Sequence, residues 1–385
     1  MKACIGIVGT GLAGLTLAAA LAQAGFDVAL YGPKPQAEKD ARTTAVLQPN
    51  IEFLKSLGLW PGLSERATPL MTMELNDAGT QSVFTSVEMG LDQFGFNLVN
   101  TDLKEALLKQ IAASKITWRT DNVENALLDK KGWRLQFAKG KEEIVRLLIG
   151  ADGRNSLVRT AAGIETTEKE EDQSALVVQL VAEKNHHYTS VEWYRSGGPL
   201  TLVPCAGKQI ALVWCDKTDI IDAQLKKSDT TLSNLITDMT ESRFGQLTLT
   251  SRPQKWPVRP MKSHTLIAPH LALVGEAAHV LPPIGAQGFN TSLYDIQSLL
   301  AQLKRGRDLG LPVDDATILR AYDEARRFDV ATRYHGITRL NDLIRSDSAG
   351  SIWARKIMMG ALNCVTPLRR SVMKFALHPR KGNAA

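Results

Sequence analysis

Three glycine-rich turns, each directly after a short apolar run and each far from the others in the chain, constrain this fold more than any other feature. They are Gly9-Thr10-Gly11-Leu12-Ala13-Gly14, then Gly150-Ala151-Asp152-Gly153-Arg154, then the stretch Leu271 to Asn290, LALVGEAAHVLPPIGAQGFN. Before the first turn, Ala3 to Val8 reads as a buried parallel strand. After it, Leu15 to Ala24 is rich in Ala and Leu and reads as a helix; Gly25 ends it, and Phe26 to Tyr31 forms a second strand. In such a βαβ unit Gly9 permits the tight turn, Gly11 lets backbone approach a pyrophosphate, and Gly14 lets helix and strand pack closely. The helix N-terminus, with Leu12 and Ala13 in its first turn, offers N–H groups and partial positive charge to phosphates. A carboxylate normally closes the second strand and holds a ribose hydroxyl. Here that strand ends Leu30-Tyr31-Gly32, and Asp27 lies at its wrong end, which argues against a plain NAD site. One large dinucleotide touching all three turns would account for their spread, and FAD is the nucleotide inferred.

The chain has 385 residues, enough for one large or two interlocked domains, and the composition of an ordinary globular protein. It shows no solenoid repeat and no low-complexity block. Its four cysteines, Cys4, Cys205, Cys215 and Cys364, form no CxxC and no zinc spacing, so they read as small core residues in a reducing compartment, with no metal. Met1-Lys2 before an apolar run, with Ala22-Gln23-Ala24 after it, resembles a signal peptide, but the internal glycines suit a strand–turn–helix better. No run reaches the ~18 apolar residues of a spanning helix. Charge is uneven: from Arg345 onward eight Lys or Arg face one acid, giving +7 against a whole-chain +6, so the rest carries −1. Without a basic stripe through the body, nucleic acid is excluded as a partner; an anionic membrane surface or an acidic protein fits the tail.

Taken together, the GxGxxG turn, the Asp152-Gly153 turn and the GEAAHVLPPIGAQG stretch resemble the class A flavoprotein monooxygenases, a group that includes the aromatic hydroxylases. The resemblance runs from Ile5 to about Arg345. It implies an α/β chain: a Rossmann-like FAD-binding domain of the para-hydroxybenzoate-hydroxylase kind with an inserted antiparallel-sheet substrate domain and a C-terminal helical tail. It further implies that Asp152, Gly153 and Arg154, with Ser156 near, touch FAD and a passing NADPH. Gly275 and Glu276 would bind ribityl or ribose hydroxyls, though Glu276 stands where Asp is usual. Pro283, Gly285, Gly288, Phe289 and Asn290 would form the tight loop and helix start facing the flavin pyrimidine. Arg42, before a helix, would lie beside the flavin and its phosphates, and Asn100 would reach the FAD phosphates. His279 reads as a capping or packing residue rather than a general base. The absence of a second GxGxxG fits a class whose NADPH has no domain of its own.

The expected division gives 1–70, 97–170 and 262–344 to the FAD-binding domain, 71–96 and 171–261 to the substrate domain, and 345–385 to a basic helical segment. The runs SALVVQLVA, SVEWYR, LTLVP and QIALVWC read as the substrate sheet. Trp193, Tyr194 and Trp214 in them line a pocket or fill a core, and His186-His187 reads as a solvated turn. Within the class, RTTAVL, LDQFGFN before NTDL, and GEAAHVLPPIGAQGFN are similar to the ubiquinone-biosynthesis hydroxylases (the UbiH/UbiF/VisC group). That implies a monooxygenase in which NADPH or NADH reduces FAD and O2 adds at flavin C4a. The C4a-hydroperoxyflavin then hydroxylates the ring of a polyprenyl phenol, without a nameable catalytic side chain. Three alternatives stay open: a hydroxylase of a small soluble aromatic, a flavin-dependent isoprenoid reductase, and a non-catalytic flavoprotein scaffold. In the tail, Ile352, Trp353, Ile357, Leu362 and Val365, then Leu368, Val372 and Phe375, recur at roughly helical spacing. The expectation is a cytoplasmic protein that meets the inner face of the membrane, or a quinone-biosynthesis complex, through this segment; helices closing the back of the FAD domain are the alternative.

Overall fold

The computed structural model describes residues 5–35, 40 and 42–378. Cys4, Arg380 and Lys381 lie outside these residues. Ten α-helices occur among them: α1 Leu12–Gln23, α2 Gln48–Ser56, α3 Asn100–Ala112, α4 Leu157–Ala161, α5 Thr218–Gln224, α6 Asp229–Met239, α7 Gln287–Asp308, α8 Ala316–Arg345, α9 Ala349–Cys364 and α10 Thr366–Leu377. The architecture is mixed α/β with a helical C-terminal region.

A six-stranded sheet forms the base. Its central strand, Ile5–Val8, pairs in parallel with Val28–Tyr31 on one side and Leu147–Gly150 on the other, and the latter pairs in parallel with Leu271–Leu273. All four are buried on both faces, which is why each reads as an unbroken apolar run rather than an alternation. The apolar run at 145–149 is divided: Lys141–Val145 belongs to a separate three-stranded antiparallel sheet, and only Leu147–Gly150 enters the base. Helix α1 is buried from Gly14 to Leu21 because its Ala and Leu residues leave no polar stripe.

Above the base lies an eight-stranded sheet. Ser174–Ala182, Gln209–Asp216, Gly198–Pro204 and Thr189–Arg195 run antiparallel in that spatial order. Thr72–Asp77 then joins Thr189–Arg195 in parallel, so the expected all-antiparallel sheet contains one parallel pair, made because chain from the first third returns beside a strand laid down much later. One face packs against α5 and α6 through a cluster holding Val191, Trp193, Leu212, Trp214, Ile221 and Ile236. Trp193 and Trp214 are therefore core residues of that face. The opposite face carries Leu75 and Tyr194, which cluster with Leu281 and Ile284 and with α8.

The tail is stitched into the body. Arg355 caps the end of α8 by donating to the carbonyls of Leu343 and Ser346 and pairs with buried Asp77 at 2.8 Å. Arg369 pairs with Glu88, and Arg345 with Glu171. Three of the tail's cations thus neutralise acids of the body, a pairing that residue counts along the sequence cannot reveal. His186 is buried, not solvated: one ring nitrogen lies 3.0 Å from the Cys205 carbonyl and the other accepts the Tyr188 N–H. Cys205 and Cys215 are core residues, whereas Cys364 is exposed.

Candidate functional site

The three glycine turns meet because their strands are neighbours. They leave the same ends of three adjacent parallel strands, with the Ala151 N–H bonded to the Val8 carbonyl at 2.8 Å and the Val274 N–H to the Gly150 carbonyl at 2.9 Å. The loops also touch. A Cβ on Gly9, whose φ is +118°, would stand 2.2 Å from the Ala151 carbonyl oxygen, and one on Gly275 would meet the Ala13 side chain at 3.0 Å. Gly14 is needed for a different reason, since a Cβ there would lie 2.0 Å from the Gly9 oxygen. Gly11 and Gly288 behave otherwise: a Cβ on either meets nothing within 4 Å. These two are open because they face space, at the starts of α1 and α7. Both helices begin without a side-chain cap and without an acid in the first turn, so their leading N–H groups are available to a ligand.

A cavity of about 360 Å³ opens beside Gly11, lined by Thr10, Lys34, Asp40, Arg42, Lys104, Gln254 and Trp256. Its cations suit a pyrophosphate and its aromatic ring suits a flat base. Glu276, Pro283, Gly285 and Gly288 are exposed on the third loop, while Leu12, Ala13, Gly153 and Arg154 are half-buried. A cation-walled cavity at the open start of α1, together with a second uncapped and open helix start at α7, fits FAD.

Several expected ligands are engaged elsewhere. Asn290 is buried, and its Oδ1 accepts from the Leu47 N–H and the Asn50 amide while its Nδ2 donates to the Ala45 and Ala286 carbonyls. That fills all four hydrogen-bonding positions of a side-chain amide, so Asn290 clamps α7 to the strand Thr43–Leu47 and has no capacity for a cofactor. Asp152 accepts from the Ser156 hydroxyl at 2.5 Å and the Val158 N–H at 3.1 Å, which commits its carboxylate to the start of α4; burial nevertheless pushes its pKa up. Asn100 Oδ1 accepts from the Thr44 hydroxyl at 2.6 Å. Phe289 packs on the core of the base sheet. Arg154 donates to the Pro257 carbonyl; burial lowers its pKa and nearby Glu276 opposes this.

Arg42 precedes the strand Thr43–Leu47 rather than a helix. Its guanidinium pairs with Asp40 at 2.8 Å and lies over the Trp256 ring at 4.0 Å. Although burial works against it, the Arg42 partnership holds Asp40 down to about 2. Asp40, Lys104 and Trp256 were not legible as site residues; the one available signal was the acid two positions before Arg42. Gly32 explains the missing carboxylate. Its φ is +134°, and a Cβ would stand 3.2 Å from the Thr10 methyl, so Thr10 occupies the room an acid would need.

Under the third loop lies a buried ionic chain. Asp295 accepts the Gly275 N–H at 3.1 Å, lies 2.6 Å from His279 Nε2, and pairs with Arg326 at 2.8 Å. Arg326 also pairs with Asp329, and Asp329 with Arg333. Burial disfavours ionised Asp295, but His279 and Arg326 outweigh it and hold its pKa down. His279 is thus a packed partner of Asp295, and the chain fixes the loop from beneath. It continues into the tail: Arg333, Gln287 and Tyr294 donate to the carbonyls of His378, Ala376 and Leu377 respectively, at 2.7, 3.2 and 2.6 Å. Among the described residues no His, Cys, Asp or Glu cluster is placed to hold a metal.

With this geometry in place, similarity to known proteins decides the family. The FAD binding domain family matches residues 2–330. The chain belongs to it. The enzyme is 30% identical to the ubiquinone hydroxylase UbiL of Rhodospirillum rubrum, over 96% of this chain and 88% of that one. It is 29% identical to the 3-demethoxyubiquinol 3-hydroxylase of Escherichia coli, over 97% and 98%. In fold it is similar to the p-nitrophenol 4-monooxygenase PnpA of Pseudomonas putida, with a TM-score of 0.81 over 98% and 99% of the two chains at 14% identity. The enzyme is an FAD-dependent monooxygenase, of a class that uses NAD(P)H and O2.

Proposed function

We propose that the enzyme hydroxylates the aromatic ring of a polyprenyl phenol in ubiquinone biosynthesis. The observation that carries this reading is near full-length similarity to hydroxylases named for ubiquinone and demethoxyubiquinol. The segments 1–70, 97–170 and 262–344 hold the cofactor, and 71–96 with 171–261 roof the substrate. Gly9, Gly11, Leu12, Ala13 and Gly14 present the start of α1 to the pyrophosphate, with Arg42 beside it. Gly153 and Arg154 border the groove; Gly275 and Glu276 serve the sugar-like hydroxyls; Pro283, Gly285 and Gly288 present the start of α7. FAD, reduced by NAD(P)H, supplies the activated oxygen when bound. The chain positions the ring against the loop Leu281–Ile284 and excludes water with the apolar layer between that loop and the upper sheet.

An insoluble substrate must be reached in a lipid surface or handed over by a partner. The tail hairpin offers a surface for the first. Trp353, Ile357, Val365, Leu368 and Val372 are exposed along α9 and α10, Trp353 at 67%, with the exposed cations Lys356, Arg370 and Lys374 among them. Apolar groups flanked by cations suit an anionic bilayer, lying on it rather than crossing it. Among the described residues no helix is long and apolar enough to span a membrane. Purified holoenzyme with NADPH and a short-chain prenyl phenol should give the hydroxylated product with one oxygen atom from O2. NADPH oxidation that yields only hydrogen peroxide, or turnover without oxygen, would sink the reading. Trp353→Ser with Leu368→Ser should reduce sedimentation with anionic vesicles while leaving flavin content unchanged.

A further inference from the structure

The strand Thr189–Arg195 divides its side chains by alternation. Val191 and Trp193 join the cluster against α5 and α6. Ser190, Glu192 and Tyr194 therefore turn to the face that meets the base of the molecule. In register, Glu192 sits between Leu75 on one neighbouring strand and Thr201 on the other. The layer on this face contains Leu75, Tyr194, Val203, Leu281, Ile284 and Tyr334. Glu192 is a carboxyl inside an apolar layer that reaches the proline loop.

Its surroundings set it apart from the other acids. Glu74, Asp77, Asp295, Asp323 and Asp329 are buried, and each is paired with an arginine. Glu192 is equally buried, and no ion pair among the described residues includes it. It accepts one hydrogen bond, from the Thr201 hydroxyl at 3.2 Å. A carboxylate retains further acceptor positions after one such bond. Burying an unpaired carboxyl is costly, and such groups concentrate where a ligand completes their environment. Desolvation raises its pKa to about 7, so both protonation states are within reach near neutrality.

We propose that Glu192, steadied by Thr201, accepts the hydrogen bond of the substrate's ring hydroxyl and so selects phenols over their ethers. This rests on the hydroxylase reading above. Drawing the hydroxyl proton toward Glu192 enriches the ring carbons that an electrophilic oxygen attacks. In an apolar layer that bond is stronger than in water, and it fixes which ring edge faces the loop. No new covalent bond involves Glu192.

The test uses holoenzyme, titrated through the absorbance of its bound flavin with a short-chain prenyl phenol and with the methyl ether of that phenol. Wild type should bind the phenol roughly ten- to a hundredfold more tightly, the range for a hydrogen bond to a charged group. Glu192→Gln should shrink this preference at least about fivefold, and Thr201→Val should shrink it partly. A wild-type enzyme without preference, or an unchanged preference in flavin-replete Glu192→Gln, would overturn the assignment. Should Glu192→Gln lose its flavin, Thr201→Val decides alone, an unchanged preference overturning it. The hydroxylase reading is judged separately: phenol binding with the expected preference but no hydroxylated product would sink that reading and leave the Glu192 contact standing.

Discussion

Replacing Glu192 by Gln should stabilise the ligand-free holoenzyme at alkaline pH and leave it nearly unchanged at acid pH. The carboxyl titrates at about 7 in the fold against 4.5 in an unperturbed chain, because burial disfavours its charged form. A raised folded pKa means the unfolded chain gives up its proton first. The favourable contribution is therefore complete below pH 4.5 and is lost as pH rises to about 7, above which it stays lost. At about 1.4 kcal/mol per pH unit, ionisation costs the folded state about 3 kcal/mol by pH 8. With an unfolding entropy of ~2.1 cal/mol/K per residue, that is about 4 °C in Tm for a chain of 385 residues. Glu192→Gln removes the titration and keeps the shape and the acceptor for Thr201. Melting of variant and wild type, followed by flavin release at pH 5 and pH 8.5, should show a gap that opens with pH in favour of the variant. A gap of equal size at both pH values would refute the placement of an unpaired carboxyl in the apolar layer.

Three other perturbations follow from the geometry. Asp295→Ala leaves Arg326 partly unpaired and frees the Gly275 N–H, so it should cost about 3–5 kcal/mol and strip flavin, read by denaturant melts and FAD content. Removing Thr366 onward should abolish flavin retention rather than only weaken lipid contact, because Arg333, Gln287 and Tyr294 lose the carbonyls they bond; a truncated protein with full FAD occupancy would contradict this. Gly32→Glu should not restore a ribose contact: its φ of +134° and the Thr10 methyl make it destabilising by roughly 1–3 kcal/mol, and FAD affinity measured by fluorescence quenching should fall.

The sequence reveals the base of this molecule because its motifs are local. A strand, a glycine turn and a helix within thirty residues declare a phosphate cradle, and the three such turns meet as their apolar strands suggested. What stays hidden is pairing across long separations. Asn290 looks like a ligand beside Gly288, yet three of the four bonds that saturate its side chain come from partners 240 to 245 residues away. The basic tail looks like free charge, yet Arg355 reaches an acid 278 positions upstream. Glu192 sits in SVEWYR as an unremarkable polar residue of an alternating strand, and only the second sheet face, buried by a distant loop, makes it unusual. Asp40 is hidden for the opposite reason, since Gly32 had already vacated the position where an acid is sought.

The clasp between α7 and the end of α10 has a temporal consequence. Ala376 follows Gln287 by 89 residues. At synthesis rates of about 5–20 residues per second, the ribosome needs roughly 4–18 s to deliver the carbonyls that clasp α7. During that interval the nascent chain has its nucleotide strands but an unfinished floor beneath them, so firm flavin capture waits until the end of α10 has been made.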